Sequence, residues 1–274
     1  MNDLLNIQPS QDGNPFLYEE DEVVSLHFDF SSIQSRMDKR DPYALILDYT
    51  RTMMGFLLFQ PQPERIAMIG LGGGSIAKYC HKHLPRSHFT ALEIDPKVIA
   101  LRDRFAIPPD GPQFRVVCMD GADFVRSRPA PLDVLLIDGF DREGLPRQLC
   151  TPGFYAHCYS RLREGGVMVV NLWSTDGRSP IYAARIRESF GGKVVVVDTA
   201  DRTNKVAFAY KGPDFPLAAA TLDERVLALD ATHRLALQAT AQKIQRRSPK
   251  RAAAAAHRAP QDESLKVGVG ETAR

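Results

Sequence analysis

The feature that most constrains the fold is an apolar run that ends in a cluster of glycines. The run is the predicted strand 65–69, and the glycines that follow are Gly70, Gly72, Gly73 and Gly74. Glycine lets the backbone turn tightly and approach a ligand, and the helix predicted over 74–84 offers free N–H groups at its first turn. A tight turn without a ligand needs one glycine, so a cluster of four favours a nucleoside-binding loop.

An acid follows at the distance that such a loop requires. Glu93 ends the next predicted strand, 88–93, and lies nineteen residues beyond Gly74. A carboxylate at the tip of this strand can accept hydrogen bonds from ribose hydroxyls. The alternatives are a solvated acid at a strand end and a partner for the dipole of the helix that begins at Pro96. The spacing favours ribose binding.

Two further predicted strands also end in acids. Asp120 and Gly121 follow strand 114–118, where Asp120 either caps the next helix or accepts the adenine amino group, and the two roles are compatible. Asp138 and Asp141 follow strand 132–137. Ligands of open α/β sheets lie at the carboxyl ends of the strands, so Asp138 is expected to face the reactive end of the nucleoside. Solvated turn residues are the alternative for this pair.

Strand-like and helix-like segments alternate along most of the chain. The predicted strands are 65–69, 88–93, 114–118, 132–137 and 166–172, and the predicted helices are 74–84, 96–105, 121–127, 152–163 and 178–190. The strands are apolar almost throughout, as in a parallel sheet covered by helices on both faces. Segments 193–199 and 205–211 are joined by too few residues for a crossover helix and predict a hairpin.

The predicted fold class is therefore α/β, with a doubly wound, mostly parallel, seven-stranded sheet closed by an antiparallel C-terminal hairpin. Such a hairpin is typical of S-adenosylmethionine-binding folds and argues against the all-parallel nicotinamide-binding fold. A small N-terminal β-hairpin region precedes the sheet, with one or two strands between Phe16 and Asp38. A helix over 43–59, capped by Asp41, is predicted to follow.

The predicted organisation has four parts. They are a small N-terminal region over 1–60, a nucleoside-binding domain over 61–220, a C-terminal helix over 221–246 and a disordered, basic, alanine-rich tail over 247–274. The tail is rich in lysine and arginine before its polar end, and a solvated linker is the favoured interpretation over contact with RNA or lipid.

Composition excludes several classes of protein. A formal net charge of +2 gives no global field to attract nucleic acid or an anionic membrane, and no apolar run is long enough to span a bilayer. The first residues show no basic segment before an apolar one, so we expect no secretory signal. The four cysteines lack zinc-site spacing, which predicts reduced thiols in a cytoplasmic protein and no metal site.

These motifs resemble those of the polyamine aminopropyltransferases, the spermidine and spermine synthases. The family's G-G-G-D-G loop matches 70–74, its E-I-D matches 93–95, its G-D-G matches 119–121, and its D-x-x-D matches 138–141 with Gly144 beyond. The good match spans about residues 64–173. Farther upstream, a weaker match that needs an insertion aligns the family's hairpin glutamine with Gln34, and its active-site tyrosine with Tyr49 before Met53-Met54.

The resemblance implies roles for these residues. Glu93 would bind the ribose and Asp120 the adenine, with the glycine loop and Gly121 around the nucleoside. Asp138 would hold and deprotonate the attacking amine, because only a free amine has a lone pair for attack on carbon. Asp141, Gln34 and Tyr49 would bind the diamine. The co-substrate would be decarboxylated S-adenosylmethionine and the partner a small amine such as putrescine. The family tends to form dimers or larger assemblies, so a homodimer is one possible assembly.

One departure from the family keeps alternatives open. Gly73 stands where the family has an aspartate that is expected to meet the amino group of the decarboxylated nucleoside. Without that charge, the site could also accept intact S-adenosylmethionine, whose carboxylate the aspartate would repel. The second hypothesis is therefore a methyltransferase. The third hypothesis is a non-catalytic nucleoside-binding homologue. A nicotinamide-dependent dehydrogenase is disfavoured by the hairpin and by Ser75, which replaces the last glycine of that fingerprint.

Overall fold

The computed structural model describes residues 15–28, 33–127 and 130–248. The predicted tail over 247–274 therefore lies almost entirely outside the described residues. Two sheets organise the described part of the chain, a small antiparallel one at the N-terminus and a large one at the centre. None of the helices in these ranges has the length and apolar character to cross a membrane.

The large sheet has seven strands in the order β6-β5-β4-β7-β8-β10-β9. These strands are β4 (Arg65–Ile69), β5 (His88–Glu93), β6 (Phe114–Cys118), β7 (Leu132–Ile137), β8 (Leu162–Trp173), β9 (Val194–Asp198) and β10 (Asn204–Tyr210). Strands β4 to β8 pair in parallel, and β10 pairs antiparallel with both β8 and β9. The predicted fold class, including the closing hairpin, is confirmed.

The N-terminal sheet has three strands rather than one or two. They are β1 (Phe16–Glu20), β2 (Val23–His27) and β3 (Ile33–Asp38), paired in that order and antiparallel. The helices of the described chain are α1 (Asp48–Met53), α2 (Ser75–His83), α3 (Pro96–Ile99), α4 (Gly121–Arg126), α5 (Pro152–Arg161), α6 (Ser179–Ser189), α7 (Ala219–Ala228) and α8 (Ala231–Arg247). Short 3₁₀ turns lie at 54–58, 103–105 and 147–149.

Three predicted helices have different boundaries in the structure. The helix predicted over 96–105 shortens to α3 (Pro96–Ile99), and a separate 3₁₀ turn lies at 103–105. The helix predicted over 43–59 is wrong in its first turn, since α1 begins only at Asp48. The Arg51 guanidinium donates hydrogen bonds to the carbonyls of Leu45 and Ile46, both at 2.6 Å. Those carbonyls are thereby kept out of a helical ladder, and Asp41 instead closes a turn by accepting from the Tyr43 N–H at 3.3 Å.

The single helix predicted over 221–246 is also wrong, because α7 and α8 are separated by Leu229 and Asp230. At the break, the Arg234 guanidinium donates to the carbonyls of Leu227 and Leu229, both at 3.0 Å. A side chain thus satisfies carbonyls that the end of α7 leaves without helical partners.

The central strands are buried on both faces, which explains their continuous apolar sequence. Along β7 every residue is buried, and alternate side chains enter two separate cores. Val134 and Leu136 pack with the helices on one face, whereas Leu135 and Ile137 pack on the other. Because both faces of β7 are packed, the strand is held in place, and so is the loop that follows its carboxyl end.

Asp133 is a charged residue within this buried strand. Its carboxylate accepts hydrogen bonds from the backbone N–H groups of Glu64 and Arg65, both at 2.7 Å, and forms an ion pair with Arg163. The side chain is only 4% exposed. It therefore ties the start of β4 to β7 and β8.

We predict that Asp133→Ala destabilises the protein by about 3 kcal/mol, because two buried backbone donors lose their acceptor. Urea unfolding measures the change. Asp123→Ala is the matched control, since this side chain is 64% exposed in a surface ion pair and should change stability by less than about 0.5 kcal/mol. Equal effects of the two variants would contradict the assigned role.

Candidate active site

A cleft opens at the carboxyl ends of the central strands, where the strand order reverses between β4 and β7. Open α/β sheets bind ligands at such a position. The N-terminal sheet forms its far wall through residues of β2 and β3. The predicted site residues that line the cleft are Gln34, Tyr49, Gly70, Gly72, Glu93, Asp120, Gly121, Asp138 and Asp141. Gly73 and Gly74 are not among the lining residues.

The glycine loop approaches the loop after β7 very closely. Gly70 has a φ of +94°, and a Cβ atom on it would lie 2.3 Å from the backbone oxygen of Asp138. The Asp138 N–H in turn donates to the Ile69 carbonyl at 2.8 Å. A residue with a side chain at position 70 would push the two loops apart, so glycine is required here.

Gly73 lies behind the cleft wall, where its neighbours fill the space of a side chain. A Cβ atom there would lie 2.6 Å from the Ser35 hydroxyl and 2.7 Å from the Phe105 ring. Phe105 is held in place by the buried Lys78, whose ammonium donates to its carbonyl at 2.7 Å. The burial of Lys78 lowers the pKa of its ammonium to about 8. An aspartate at position 73 would require both Ser35 and Phe105 to move.

Glu93 is oriented by backbone donors on two sides. Its Oε2 accepts from the Leu71 N–H and its Oε1 from the Asp95 N–H, both at 3.0 Å. A carboxylate has about four acceptor positions, so each oxygen keeps capacity for a further donor from the cleft. The glycine loop and the acid predicted to act with it are therefore joined directly.

Asp120 caps the helix that follows it. Its Oδ1 accepts from the Ala122 N–H at 2.7 Å at the start of α4. The capping alternative considered for this residue is thus correct, and the carboxylate, which also lines the cleft, keeps acceptor capacity for a ligand. Its binding role stays a prediction.

Asp138 is a buried acid of the cleft, and its pKa is raised. Burial raises the pKa of its carboxyl group to about 7, against the opposing effect of hydrogen bonds from Asn171 and Tyr49. The Asn171 amide donates to Oδ1 at 2.8 Å, and the Tyr49 hydroxyl is the second donor. Burial, together with the negative charge of Asp138, raises the pKa of Tyr49 well above its ordinary value, so its hydroxyl keeps its proton. Such a carboxyl group exchanges a proton near neutral pH.

Sequence reasoning missed two residues of this site, Asn171 and Asn204. The Asn204 amide donates to Asn171 Oδ1 at 2.9 Å, and both side chains are buried. Asn171 interrupts the apolar run of β8, which was a visible signal of function. Asn204 gave no such signal. It lies at the start of the antiparallel strand β10, and only the register of β10 against β8 brings it near Asn171.

Asp141 lies at the open edge of the cleft. It accepts from the Glu143 N–H at 2.8 Å and pairs through its backbone with Gly144. Beside it, Phe140 and Trp173 stack with ring centroids 4.8 Å apart and planes within 4°. Trp173 therefore lines the cleft rather than serving the core alone.

The charges of the cleft are of one sign. Among the described residues, its lining contains no lysine, arginine or histidine side chain, and it contains the four acids Glu93, Asp120, Asp138 and Asp141. An arrangement of this kind attracts cations and repels carboxylates. The described residues include no group of three potential ligands that could hold a metal ion.

We predict that Gly70→Ala destabilises the protein by about 2 kcal/mol or more, because a side chain must enter the contact with the Asp138 backbone at an unfavourable φ. Thermal or urea unfolding measures the loss. Gly111→Ala is the control, since a Cβ atom there meets nothing within 4 Å. A wild-type stability for Gly70→Ala would show that the two loops do not need this contact.

Comparison of the sequence with known proteins identifies the family that the motifs resemble. Residues 47–176 match the model of the spermine/spermidine synthase domain. A polyamine aminopropyltransferase of Chromobacterium violaceum is 40% identical over 194 residues, which cover 70% of this chain and 74% of that protein.

Two solved structures share the fold. A probable spermidine synthase from Corynebacterium glutamicum aligns with a TM-score of 0.64 at 21% identity, covering 78% of this chain and 84% of that one. Human methyltransferase-like protein 13 in complex with SAH aligns with a TM-score of 0.61 at 23% identity, covering 72% of this chain and 93% of that one. At these identities the likeness concerns the fold alone.

Proposed function

The chain belongs to the spermine/spermidine synthase family, and on that premise we propose that it transfers an aminopropyl group from decarboxylated S-adenosylmethionine to a diamine such as putrescine. The observation that carries the proposal is the cleft, whose described lining has four carboxylates and no cationic side chain. Both proposed substrates are cations at neutral pH, the donor through its sulfonium and ammonium groups and the acceptor through its two ammonium groups. The charge of the cleft complements both.

The donor would lie along the glycine loop. The free acceptor positions of Glu93 suit the ribose hydroxyls, and Asp120 with the backbone of Gly121 suits the adenine edge. The backbone at Gly70 and Gly72 borders the same part of the cleft. These contacts would direct the sulfonium toward the end of β7, where Asp138 lies.

The acceptor would occupy the side of the cleft between Asp138 and Asp141. Asp138, supported by Tyr49, would hold the attacking nitrogen, and Asp141 with Gln34 would hold the far end of the diamine. The stacked rings of Phe140 and Trp173 offer an apolar wall to the methylene chain between the two nitrogens. Such a wall also favours a nearby ammonium through cation–π attraction.

The reaction needs one proton transfer and one substitution. The Asp138 carboxylate takes a proton from the bound ammonium, and the freed lone pair attacks the methylene carbon next to the sulfonium. The new N–C bond forms as the C–S bond breaks, and the electrons of that bond stay on sulfur in neutral methylthioadenosine. Because a sulfonium is already a good leaving group, positioning and exclusion of water provide most of the acceleration.

We expect Asp138→Asn to lower kcat by about a thousandfold or more while nucleoside affinity changes little, because the amide cannot accept the proton. Turnover is measured by mass spectrometry of the polyamine product, and affinity by calorimetry with methylthioadenosine. Asp123→Asn, on the exposed surface of α4, is the control. Normal turnover by Asp138→Asn would remove the assigned role.

The pH dependence of kcat/KM should follow the ionisation of Asp138. Its carboxylate is the active form, so kcat/KM for the diamine should be lost as the pH falls below about 7. In the complex, the ammonium of the substrate stabilises the carboxylate, so kcat should keep its value to a lower pH than kcat/KM. A flat kcat/KM between pH 6 and pH 8 would exclude this base.

Methyl transfer from intact S-adenosylmethionine is the second candidate, and the absence of an acid at position 73 is the observation that favours it. Against it, the carboxylate of the intact nucleoside would enter a cleft in which the described lining offers no cationic side chain. We therefore expect the decarboxylated nucleoside to bind at least about tenfold more tightly, as measured by calorimetry. Preference for the intact form would favour methyl transfer.

A non-catalytic homologue remains distinguishable from both enzymes. If wild-type protein binds the nucleosides but gives no product with either donor and a panel of diamines, the chain is a nucleoside-binding protein of this family. The proposal places the enzyme in the cytoplasm, and its four cysteines, all free thiols, suit that compartment.

A further inference from the structure

We propose that a directed chain of hydrogen bonds, running from Thr203 through Asn204 and Asn171, keeps Asp138 ionised and turned toward the amine. The inference rests on the proposed function and adds to it two positioning residues, Asn171 and Asn204. Both act through Asp138.

The direction of the chain follows from the chemistry of the amide group. The Thr203 hydroxyl donates to Asn204 Oδ1 at 2.8 Å, and Asn204 Nδ2 donates to Asn171 Oδ1 at 2.9 Å. Asn171 Nδ2 then donates to Asp138 Oδ1 at 2.8 Å. An amide oxygen can only accept and an amide nitrogen can only donate. The Asp138 carboxylate only accepts, so it fixes the orientation of Asn171, and Asn171 in turn fixes that of Asn204. The Thr203 hydroxyl can take either role and donates in this direction. Reversal of Asn171 would place its oxygen against the carboxylate.

The orientation of the two amides matters because both asparagine side chains are buried. Asn171 is 2% exposed and Asn204 is 8% exposed, so water does not readily replace a lost partner. Burial alone pushes Asp138 toward its neutral form, and the hydrogen bonds from Asn171 and Tyr49 oppose that effect. A neutral Asp138 could neither hold an ammonium nor take its proton. The hydrogen-bond chain therefore favours the carboxylate form of Asp138, which is the form that the reaction uses.

Tyr49, the second donor to Asp138, is supported by the same turn that carries Thr203. Asp48, which precedes Tyr49, accepts from the backbone N–H groups of Ala200 and Asp201, the latter at 3.0 Å. Those residues belong to the β9–β10 turn that also carries Thr203. A single turn outside the cleft thus supports both side chains that donate to Asp138.

The other charged groups around Asp138 do not replace this support. The titratable side chains that line the cleft with it are Tyr49 from α1, Glu93 at the end of β5, Asp120 after β6 and Asp141 in its own loop. None of the three acids can stabilise the negative charge of Asp138, and the described lining contains no cationic side chain that could do so. Neutral donors must therefore stabilise the carboxylate.

The test uses the full-length protein and compares four variants. Asn171→Leu removes the direct donor, Asn204→Leu removes the support of its orientation, and Thr203→Val removes the first hydroxyl. Thr232→Val, an exposed threonine on α8, is the control. The pH profile of kcat/KM for putrescine is measured with saturating decarboxylated S-adenosylmethionine.

We expect Asn171→Leu and Asn204→Leu to move the midpoint of the profile upward by about one pH unit, since one hydrogen bond to a charged group is lost or disordered. At the pH of the wild-type midpoint this corresponds to a loss of about fivefold in kcat/KM, and the loss should disappear about two pH units above it. Thr203→Val should shift the midpoint in the same direction by less, and the control should not shift it. A loss of activity that is equal at all pH values, or an unshifted midpoint in Asn204→Leu, would overturn the proposal.

A second measurement does not depend on activity. A carboxyl group whose pKa is raised by folding binds more protons in the native state, so the contribution of Asp138 to stability falls as the pH rises from about 4 to 7. The difference between the unfolding profiles of the variant and the wild type isolates this contribution from that of other groups. In Asn204→Leu the fall of this contribution should extend to higher pH by about one unit. If wild-type protein has no transferase activity, the proposed function fails, and the urea-unfolding profiles alone decide whether the hydrogen-bond chain controls Asp138. Superimposable profiles would then overturn it.

Discussion

The burial of one carboxylate at the end of β7 is the constraint on which the site depends. Asp138 lies where the central strand of the sheet leaves two hydrophobic cores, and the low polarity of that position raises the proton affinity of any acid placed there. The glycine loop must come within contact of its backbone, which requires Gly70. Tyr49 and Asn171 then provide the donors that such a carboxylate needs. The sheet sets the position of the acid, and the surrounding elements set its charge.

The N-terminal sheet completes the cleft from the opposite side. Ser35 of β3 occupies the space beside Gly73, and the Arg142 guanidinium donates to the Phe28 carbonyl at 2.8 and 3.0 Å. Because Arg142 follows Asp141, the small sheet is joined to the same loop that carries both acids. The packing around position 73 therefore suits glycine, since an aspartate there would require Ser35 and Phe105 to move.

Local features of the site could be predicted from the sequence, whereas features that depend on long-range register could not. The glycine loop, Glu93 and Asp138 are placed by the βα spacing of consecutive elements, which is visible along the chain. Asn204 meets Asn171 only because β10 pairs antiparallel with β8 in one register. The wrong helix boundary near residue 48 has a similar cause, since the Arg51 side chain satisfies carbonyls that the sequence pattern assigned to a helix.

The charge of the cleft has a consequence for the order in which products leave. In the proposed reaction, the donor arrives with two positive charges and departs as a neutral thioether, while the acceptor gains a nitrogen that can be protonated. The acids that attract both substrates therefore lose their electrostatic hold on the nucleoside once the C–S bond breaks. The reaction thus removes the charge of the nucleoside, and the lengthened polyamine is the product that must leave a cleft that still carries the negative charges of Glu93, Asp120 and Asp141.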